Sequence, residues 1–167
     1  MRHCEKCGAV MQKGLVEGRK RPHCKACGFV RYRNPAPVGL AVVEHAGVLV
    51  LIRRAVAPLA GYWAPPSGYV EYGESITEAV IREVREETSL EIVLDGLTGV
   101  YSQADVDVIL IAYRAHSVGG GPRAGDDAAE IGLFARGQMP REQVPATGTA
   151  VERWFYGVIQ DVTASWR

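Results

Sequence analysis

Three glutamates, Glu83, Glu86 and Glu87, lie within five residues of one another in the segment REVREE. Like charges three and four residues apart on a helix repel one another and destabilise it. The repulsion can be relieved by solvent together with Arg82 and Arg85, or by a cation bound between the carboxylates. The first alternative predicts a solvated helix face that lies opposite the apolar stripe.

The helical positions of the glutamates favour a bound cation. With Glu83 set at zero and about 100° per residue, Glu87 falls at roughly 40°. The apolar stripe spans roughly 20° to 100°, at Ile76, Val80 and Val84. The carboxylates therefore continue the inward stripe, where they would be desolvated together at a high free-energy cost. Mg²⁺ or Mn²⁺, which prefer carboxylate oxygen, are the expected ions.

A second set of residues has the spacing of a metal site. The four cysteines form two Cys-x-x-Cys pairs, Cys4 with Cys7 and Cys24 with Cys27, separated by sixteen residues. This pattern predicts a four-thiolate Zn²⁺ site, and four cysteines leave no open coordination position, so the zinc is expected to be structural. Two disulfides are the structural alternative.

The cysteine segment is also strongly basic. Residues 1–33 contain nine Lys and Arg residues against two Glu residues, and the rest of the chain carries the compensating negative charge, so that the formal net charge is zero. The segment has few large apolar residues, and the metal would have to supply its folding energy. The asymmetry is compatible with nucleic-acid binding or with docking of two parts of one protein. His3 and His23 are expected to be neighbours of the site, since the cysteines already complete the shell.

The composition of the chain is that of an ordinary globular protein of 167 residues. No stretch approaches the roughly 20 apolar residues that a membrane span needs. We expect a soluble, cytoplasmic protein that makes no membrane contact, and a homodimer is left open.

The remaining elements must position these two sets of residues. We predict a zinc ribbon at residues 1–33 and a main domain at 34–167, which begins with an Asn-Pro linker. Valine-rich runs at 38–44 and 48–55 predict a β-hairpin, residues 63–68 predict a shaped loop, and Ser75-x-x-Glu78 predicts a capped helix over 75–88. Further strands are predicted at 91–94, 99–102, 106–114 and 130–135, with a glycine-rich loop at 119–125 and a helix at 149–159. This order predicts an α+β fold, an α-β-α sandwich in which a mixed β-sheet lies between helices.

The glutamate segment resembles the Nudix box. The matching positions are Gly68, Glu74, Arg82-Glu83-Val84-x-Glu86-Glu87 and Leu90, and the one departure is Ser89, where the family has glycine. The cysteine pairs, the Asn-Pro linker and Gly61-x-Trp63-x-x-Pro66 extend the resemblance to the zinc-ribbon branch of Nudix hydrolases. That branch includes NADH pyrophosphatases and FAD or ADP-ribose diphosphatases.

This resemblance implies the Nudix fold and a metal-dependent hydrolysis. The substrate would be a nucleoside diphosphate linked to another moiety, such as FAD, ADP-ribose or NAD(H), and AMP would be released. Glu83, Glu86, Glu87 and the carbonyl of Gly68 would hold Mg²⁺ or Mn²⁺. Glu74 and Arg82 would form an ion pair that orients the loop and the helix.

Other candidate residues lie outside the box. Many Nudix enzymes have a further carboxylate that acts as ligand or base, and Glu130 is favoured here over Asp126 and Asp127. Arg53 or Arg54 is expected to reach a phosphate, but not both, because neighbouring residues of a strand point to opposite faces. We name Arg53 and Tyr69 as candidate substrate-binding residues; for Tyr69 and Trp63, packing is the alternative role.

Substrate choice depends on the segment after Ser102-Gln103. NADH pyrophosphatases of this branch carry prolines and aromatic residues there, whereas this chain has Ala104-Asp105-Val106. The difference favours FAD or ADP-ribose. Two alternatives remain: a non-catalytic nucleotide sensor, although every box carboxylate is present, and a nucleic-acid-directed enzyme, although the chain lacks interleaved aromatic residues.

Overall fold

The computed structural model of the protein describes residues 2–125, 127–140 and 148–166. Contacts between Cα atoms divide the chain into two compact units, Met1–Asn34 and Pro35–Arg167. The division falls one residue after the boundary that the sequence suggests, and we propose that the units are separate domains. Within the described ranges, no helix has the length and apolar character needed to cross a membrane.

The smaller unit contains one β-hairpin between its two cysteine pairs. Strands β1 (Gln12–Val16) and β2 (Arg19–His23) pair in antiparallel register. The hairpin has little apolar surface to bury, and Leu15 is 76% exposed. Its strands therefore cannot supply a core, as expected for a segment that depends on bound metal. The sequence analysis did not predict this hairpin.

The larger unit contains strands and two main helices. In chain order these are β3 (Ala36–His45), β4 (Val48–Arg54), β5 (Trp63–Ala64), β6 (Ser67–Tyr69), α1 (Ile76–Thr88), β7 (Leu90–Tyr101), β8 (Val108–Gly120), β9 (Ala128–Phe134) and α2 (Ala150–Val162). A short 3₁₀ helix at Ala164–Trp166 follows α2.

The strands form one mixed sheet. The main order is β5-β4-β3-β8-β7, with β6 paired to β3 and β9 paired to β4. Strands β3 and β8 are parallel, and the other pairs are antiparallel. The predicted hairpin is confirmed as β3 and β4, which are joined by the turn at residues 46–47.

Two hydrophobic clusters cover the two faces of the sheet. Successive residues of β3 alternate between them: Leu40 and Val42 pack with the buried residues of α2, whereas Ala41 and Val43 pack with those of α1. This alternation is the two-residue period of a strand that is buried on both faces. The helices therefore lie on opposite sides, which confirms the predicted sandwich.

Three local predictions need correction. The runs at 91–94 and 99–102 belong to one strand, β7, because register shifts against β8 carry the pairing through the intervening Asp95-Gly96. Strand β8 extends to Gly120, into the predicted glycine-rich loop. Residues 63–68 are not all loop, since β5 and β6 flank Pro65-Pro66.

Candidate active site

Helix α1, which carries the glutamates, is capped at both ends, and the caps fix where the helix begins and ends. The Ser75 hydroxyl accepts from the Glu78 backbone N–H, and the Glu78 carboxylate accepts from the Ser75 N–H, which confirms the predicted capping box. At the other end Ser89 has φ 59° and ψ 18°, and its N–H donates to Arg85 O at 2.9 Å. Between the caps, Val80 and Val84 are buried against the sheet.

Glu87 is the most buried of the three box glutamates, with 6% exposure. Its Oε2 accepts from the backbone N–H of Ser67 at 2.8 Å. Burial raises the pKa of Glu87 to about 7, against the opposing effects of the Ser67 hydrogen bond and of Arg54. A carboxylate held here has a strong electrostatic reason to accept a cation.

Glu83 lies one helical turn before Glu87 and packs against the backbone of Gly68. A Cβ atom at Gly68 would lie only 2.0 Å from the Glu83 carboxyl carbon, so no larger residue fits without a shift. Burial is the main reason that the pKa of Glu83 is raised. Glu83, Glu87 and Gly68 are therefore brought to one place, as the sequence predicts.

Arg82 ties the loop before α1 to the helix. Its Nη2 and Nε donate to the two oxygens of Glu74 at 2.7 and 3.1 Å, and Nη2 also donates to Tyr69 O at 3.0 Å. The hydrogen bonds from Arg82 lower the pKa of Glu74. Arg82 Nη1 donates to Glu83 at 2.8 Å and to Glu86 at 3.0 Å. The ion pair expected from the box is present in the structure.

Glu86 differs from the helical expectation. Its side chain is 59% exposed, and it does not line the cavity that Glu83 and Glu87 share. By the same angular count Glu86 lies about 60° from Glu83, on the side away from Val80 and Val84, so the prediction that it continues the inward stripe is wrong for this residue. Its link to Glu83 runs through Arg82 Nη1.

The loop that follows β8 docks on the carboxyl end of α1. The backbone N–H groups of Arg123 and Gly125 donate to the carbonyls of Thr88 and Glu87 at 2.9 and 3.0 Å. A Cβ atom at Gly125 would lie 1.8 Å from Glu86 O, so glycine permits this approach. The docked loop leads to Asp127, whose charge adds to burial in raising the pKa of Glu87. Asp126 lies outside the described residues.

Two predicted residues, Arg53 and Glu130, face each other across β4 and β9 and do not line the cavity. Arg53 Nη1 lies 3.5 Å from Glu130 Oε2, and both side chains are about half exposed. Arg54 points the other way and lines the cavity. The two arginines are neighbours on β4, and neighbouring residues of a strand point to opposite faces. Arg53 and Glu130, which we predicted as site residues, therefore lie outside the cavity. Arg54 and Asp127 line it instead.

Arg54 is held by packing as well as by charge. Its guanidinium carbon lies 5.3 Å from the centre of the Phe155 ring, and its Nε donates to Pro58 O at 2.7 Å. Burial lowers the pKa of Arg54, and the nearby Glu87 opposes that effect. The side chain remains a fixed cation beside the acidic residues.

The cavity has a volume of about 580 Å³. It is lined by carboxylates on and near α1, by the loop between β7 and β8, and by the first two turns of α2. The lining residues include Arg54, Gly68, Tyr69, Glu83, Glu87, Asp105, Val106, Asp127, Val151, Trp154 and Phe155. The sequence analysis missed the α2 residues. The two adjacent aromatic residues Trp154 and Phe155 were the available signal, but only the docked helix shows which of its sides faces the cavity.

The four cysteine sulfurs all lie within 4.8 Å of one another and could hold a metal ion. The two knuckles repeat one backbone pattern: Gly8 N–H donates to Cys4 O and Gly28 N–H to Cys24 O, both at 2.9 Å. All four cysteines are free, which argues against the disulfide alternative. His3 and His23 are not part of the cluster.

The α1 carboxylates are more widely spaced than the sulfurs. Among the residues that the structure describes, the sulfurs are the one group of three or more Cys, His, Asp or Glu ligand atoms that all lie within 4.8 Å of one another. Oxygen donors at the edge of an open cavity still suit Mg²⁺, which keeps several water ligands and is bound by one or two carboxylates together with substrate phosphates. The donor chemistry of the two sites is therefore different.

Comparison with known proteins agrees with this geometry. The family model described as NUDIX domain matches residues 33–155. An ADP-ribose pyrophosphatase of Methanocaldococcus jannaschii is 40% identical over 114 residues, which cover 66% of this chain and 68% of that protein. A solved Nudix hydrolase structure from Nitrosomonas europaea superposes with a TM-score of 0.78 at 27% identity and covers 84% of this chain and 81% of that one.

A NAD-capped RNA hydrolase NudC of Stutzerimonas stutzeri is also similar, with 37% identity over 92 residues and 54% of this chain. The match spans only 32% of the length of that relative. The domain match covers most of the larger unit and includes the whole glutamate segment. This chain therefore belongs to the Nudix hydrolase family.

Proposed function

We propose that this protein hydrolyses the diphosphate bond of an ADP-containing compound, with ADP-ribose as the favoured substrate, and releases AMP. The observation that carries the proposal is the cavity in which Glu83, Glu87 and the Gly68 backbone meet Asp127 and Arg54. The similarity to an ADP-ribose pyrophosphatase supports the substrate. Hydrolysis would add water across one P–O–P linkage, giving AMP and a second phosphorylated product.

The proposed metal is Mg²⁺ or Mn²⁺, held by Glu83, Glu86, Glu87 and the Gly68 carbonyl. When bound, the metal would neutralise the diphosphate, stabilise developing charge on its oxygens and lower the pKa of the attacking water. A cation would favour the ionised form of Glu87, because this carboxyl group is buried beside other carboxylates. Exposed Glu86 lies within reach of the same arginine as Glu83 and is placed to join the set from the solvent side.

The protein's own groups position the reaction. Arg82 fixes the direction of Glu83 and Glu86 and, through Glu74 and Tyr69 O, the loop that carries Gly68. Arg54 is placed to hold a phosphate oxygen, since it is a fixed cation in the cavity wall. Asp127 lines the cavity and Glu130 does not, so we assign the further carboxylate, as ligand or base, to Asp127.

The loop between β7 and β8 supports ADP-ribose over NADH. Asp105 and Val106 of this loop line the cavity, so the segment in which the chain lacks prolines and aromatic residues adjoins the proposed substrate. For the smaller unit we propose that the four sulfurs bind structural Zn²⁺.

A second candidate substrate is capped RNA. Two observations favour it: the excess of basic residues in residues 1–33 and the similarity to NAD-capped RNA hydrolases. A basic segment attracts phosphate backbones in a salt-dependent way. ADP-ribose has no phosphate backbone for that segment to bind, so turnover of capped RNA should depend more strongly on salt than turnover of ADP-ribose.

The test is a substrate panel with Mg²⁺-loaded protein and chromatographic identification of products. It contains ADP-ribose, FAD, NAD, NADH, nucleoside triphosphates and NAD-capped RNA. We expect AMP from ADP-ribose at the highest kcat/KM and no turnover without a divalent ion. A preference for capped RNA that falls steeply with salt would favour the second candidate. No turnover of any compound would contradict both and favour the nucleotide sensor.

A further inference from the structure

The cavity has an aromatic wall far along the chain from the Nudix box. Val151, Trp154 and Phe155 of α2 line it, and Trp154 is half-buried against the hydrophobic cluster on that face. None of these residues belongs to the acidic group. The wall offers apolar surface at one end of a cavity whose other lining is charged.

Trp154 differs from Phe155 in what its ring contacts and from Tyr69 in where it lies. Phe155 is 6% exposed, and its ring is already covered by the Arg54 guanidinium. Tyr69 is 60% exposed, and its backbone carbonyl accepts from Arg82 Nη2, so this residue lies next to Gly68 on the glutamate side of the cavity. Within the described part of the chain, Trp154 stacks on no other ring and carries no cation. The Tyr69 ring is also uncovered but lies beside the glutamates, so the Trp154 indole is the uncovered ring on the α2 side of the cavity.

Trp154 and the glutamates line the same cavity from different helices, an arrangement that suits a ligand with charged phosphates and a planar ring. Glu83 and Glu87 come from α1, and Trp154 comes from α2, which packs on the opposite face of the sheet. All three side chains line the same cavity, so the cavity extends from one helix to the other. A nucleoside diphosphate placed with its phosphates at the glutamates would direct its base toward the second helix.

We infer that Trp154 is the stacking platform for the adenine ring of the substrate. The inference rests on the proposed function, because the AMP half is what all the proposed ADP compounds share. Stacking uses the flat faces of both rings and is worth about 1–3 kcal/mol per base, equivalent to roughly 5- to 150-fold in affinity. Val151 and Val106 supply apolar contacts around the ring.

The inference predicts a loss that depends on the base. In the Mg²⁺-loaded protein, Trp154→Ala should weaken AMP binding by about 10- to 100-fold in calorimetry, while the affinity for inorganic pyrophosphate changes by less than about 3-fold. KM for ADP-ribose should rise with little change in kcat, because stacking acts equally in the ground and transition states. Trp63→Phe is the control, since Trp63 packs on Phe134, 5.1 Å between ring centres, outside the cavity.

Trp154→Phe gives an independent readout that keeps an aromatic ring. AMP should quench the tryptophan fluorescence of the wild type and of Trp63→Phe, and the quenching should be lost in Trp154→Phe although AMP still binds. Unchanged quenching in Trp154→Phe would overturn the inference, and so would equal losses of AMP and pyrophosphate affinity in Trp154→Ala. If the wild type hydrolyses no ADP compound but AMP binding still depends on Trp154, the inference stands and the proposed function fails.

NMN in place of AMP distinguishes adenine from a nicotinamide ring. Tighter binding of NMN than of AMP, lost in Trp154→Ala, would overturn the choice of adenine.

Discussion

The protein has two candidate metal sites that depend on their surroundings in opposite ways. The sulfur cluster of Cys4, Cys7, Cys24 and Cys27 lies in a small unit whose hairpin residue Leu15 is largely exposed. The carboxylates of α1 lie on a large unit with buried clusters on both faces of its sheet. In the first site a metal would hold the fold together, and in the second the fold holds groups that a metal would use. Metal removal should therefore unfold one unit and only inactivate the other.

Loss of metal from the sulfur cluster should have the largest effect. Zn²⁺ binding to small ribbon-like peptides is worth about 10–16 kcal/mol, far more than the apolar burial of this unit can replace. We expect a strong chelator, or Cys7→Ser, to collapse the amide NMR signals of residues 2–34 while those of the larger unit keep their dispersion. His3→Ala, next to Cys4 but outside the cluster, is the control. Dispersed signals from residues 2–34 in metal-free protein would show that the unit folds unaided.

Loss of a carboxylate from α1 should remove activity and leave the fold intact. A bound metal stabilises transition-state charge by several kcal/mol, so Glu87→Gln should lower kcat for ADP-ribose by about 10³-fold, and Glu86→Gln should also remove nearly all activity. Glu91→Gln makes the same charge change just beyond the helix, at an exposed residue outside the cavity, and should change kcat by less than about 2-fold. Full activity in Glu87→Gln would contradict the proposed role of this helix. A steady-state assay at saturating Mg²⁺ measures these effects.

The same glutamate should destabilise the larger unit when no divalent ion is bound. Because burial raises the pKa of Glu87 from its ordinary value of 4.5 to about 7, ionising it costs the folded state at most about 3 kcal/mol. The folded state holds this proton more tightly, so stability falls as pH rises from 4.5 through 7. Glu87→Gln should therefore be more stable than the wild type at pH 8, with a difference that fades toward pH 5.

Urea unfolding followed by tryptophan fluorescence measures this difference in the larger unit alone, since its three tryptophans, Trp63, Trp154 and Trp166, are the only ones in the chain. The buffer is freed of Mg²⁺ without a chelator strong enough to strip the sulfur cluster. Saturating Mg²⁺ should restore the wild type at pH 8 and leave Glu87→Gln almost unchanged. A difference that is independent of pH would point to packing rather than to charge.

The comparison also shows which features can be predicted from sequence. The sulfur ligands follow from spacing, because each Cys-x-x-Cys knuckle is a local turn. The inward direction of Glu83 and Glu87 follows from helical periodicity, but the same angular count also assigned Glu86 to the inward stripe, where the structure does not place it. Arg54 could not be chosen over Arg53, because the choice depends on which face of β4 adjoins the cavity. Such choices depend on partners distant in sequence.

Asp127 and Trp154 show the same limit. Asp127 approaches α1 because Gly125 lets the loop dock on Glu87 O, a contact between residues almost forty positions apart. Trp154 lines the cavity because α2 docks on the sheet, where Tyr101 donates to Asp161 at 2.6 Å. Neither contact can be predicted from composition or periodicity.

The smallest expected effect concerns Ser89, where the structure has the left-handed conformation that the family's glycine would adopt without strain. A non-glycine residue in this conformation costs about 1 kcal/mol. Ser89→Gly should therefore raise the free energy of unfolding of the larger unit by about 0.5–1 kcal/mol, with kcat unchanged because Ser89 does not line the cavity.

The matched control for Ser89→Gly is Ser102→Gly, at an exposed position outside the positive-φ residues. There glycine only adds freedom to the unfolded chain, so the same change should lower stability or leave it unchanged. Equal effects at the two positions would mean that the helix end relaxes to accept serine. Changes in the free energy of unfolding of opposite sign, with kcat constant in both variants, would show that the stability of the α1 end does not affect the carboxylates. Arg82 and the Ser67 N–H hold Glu83 and Glu87 from outside the helix terminus.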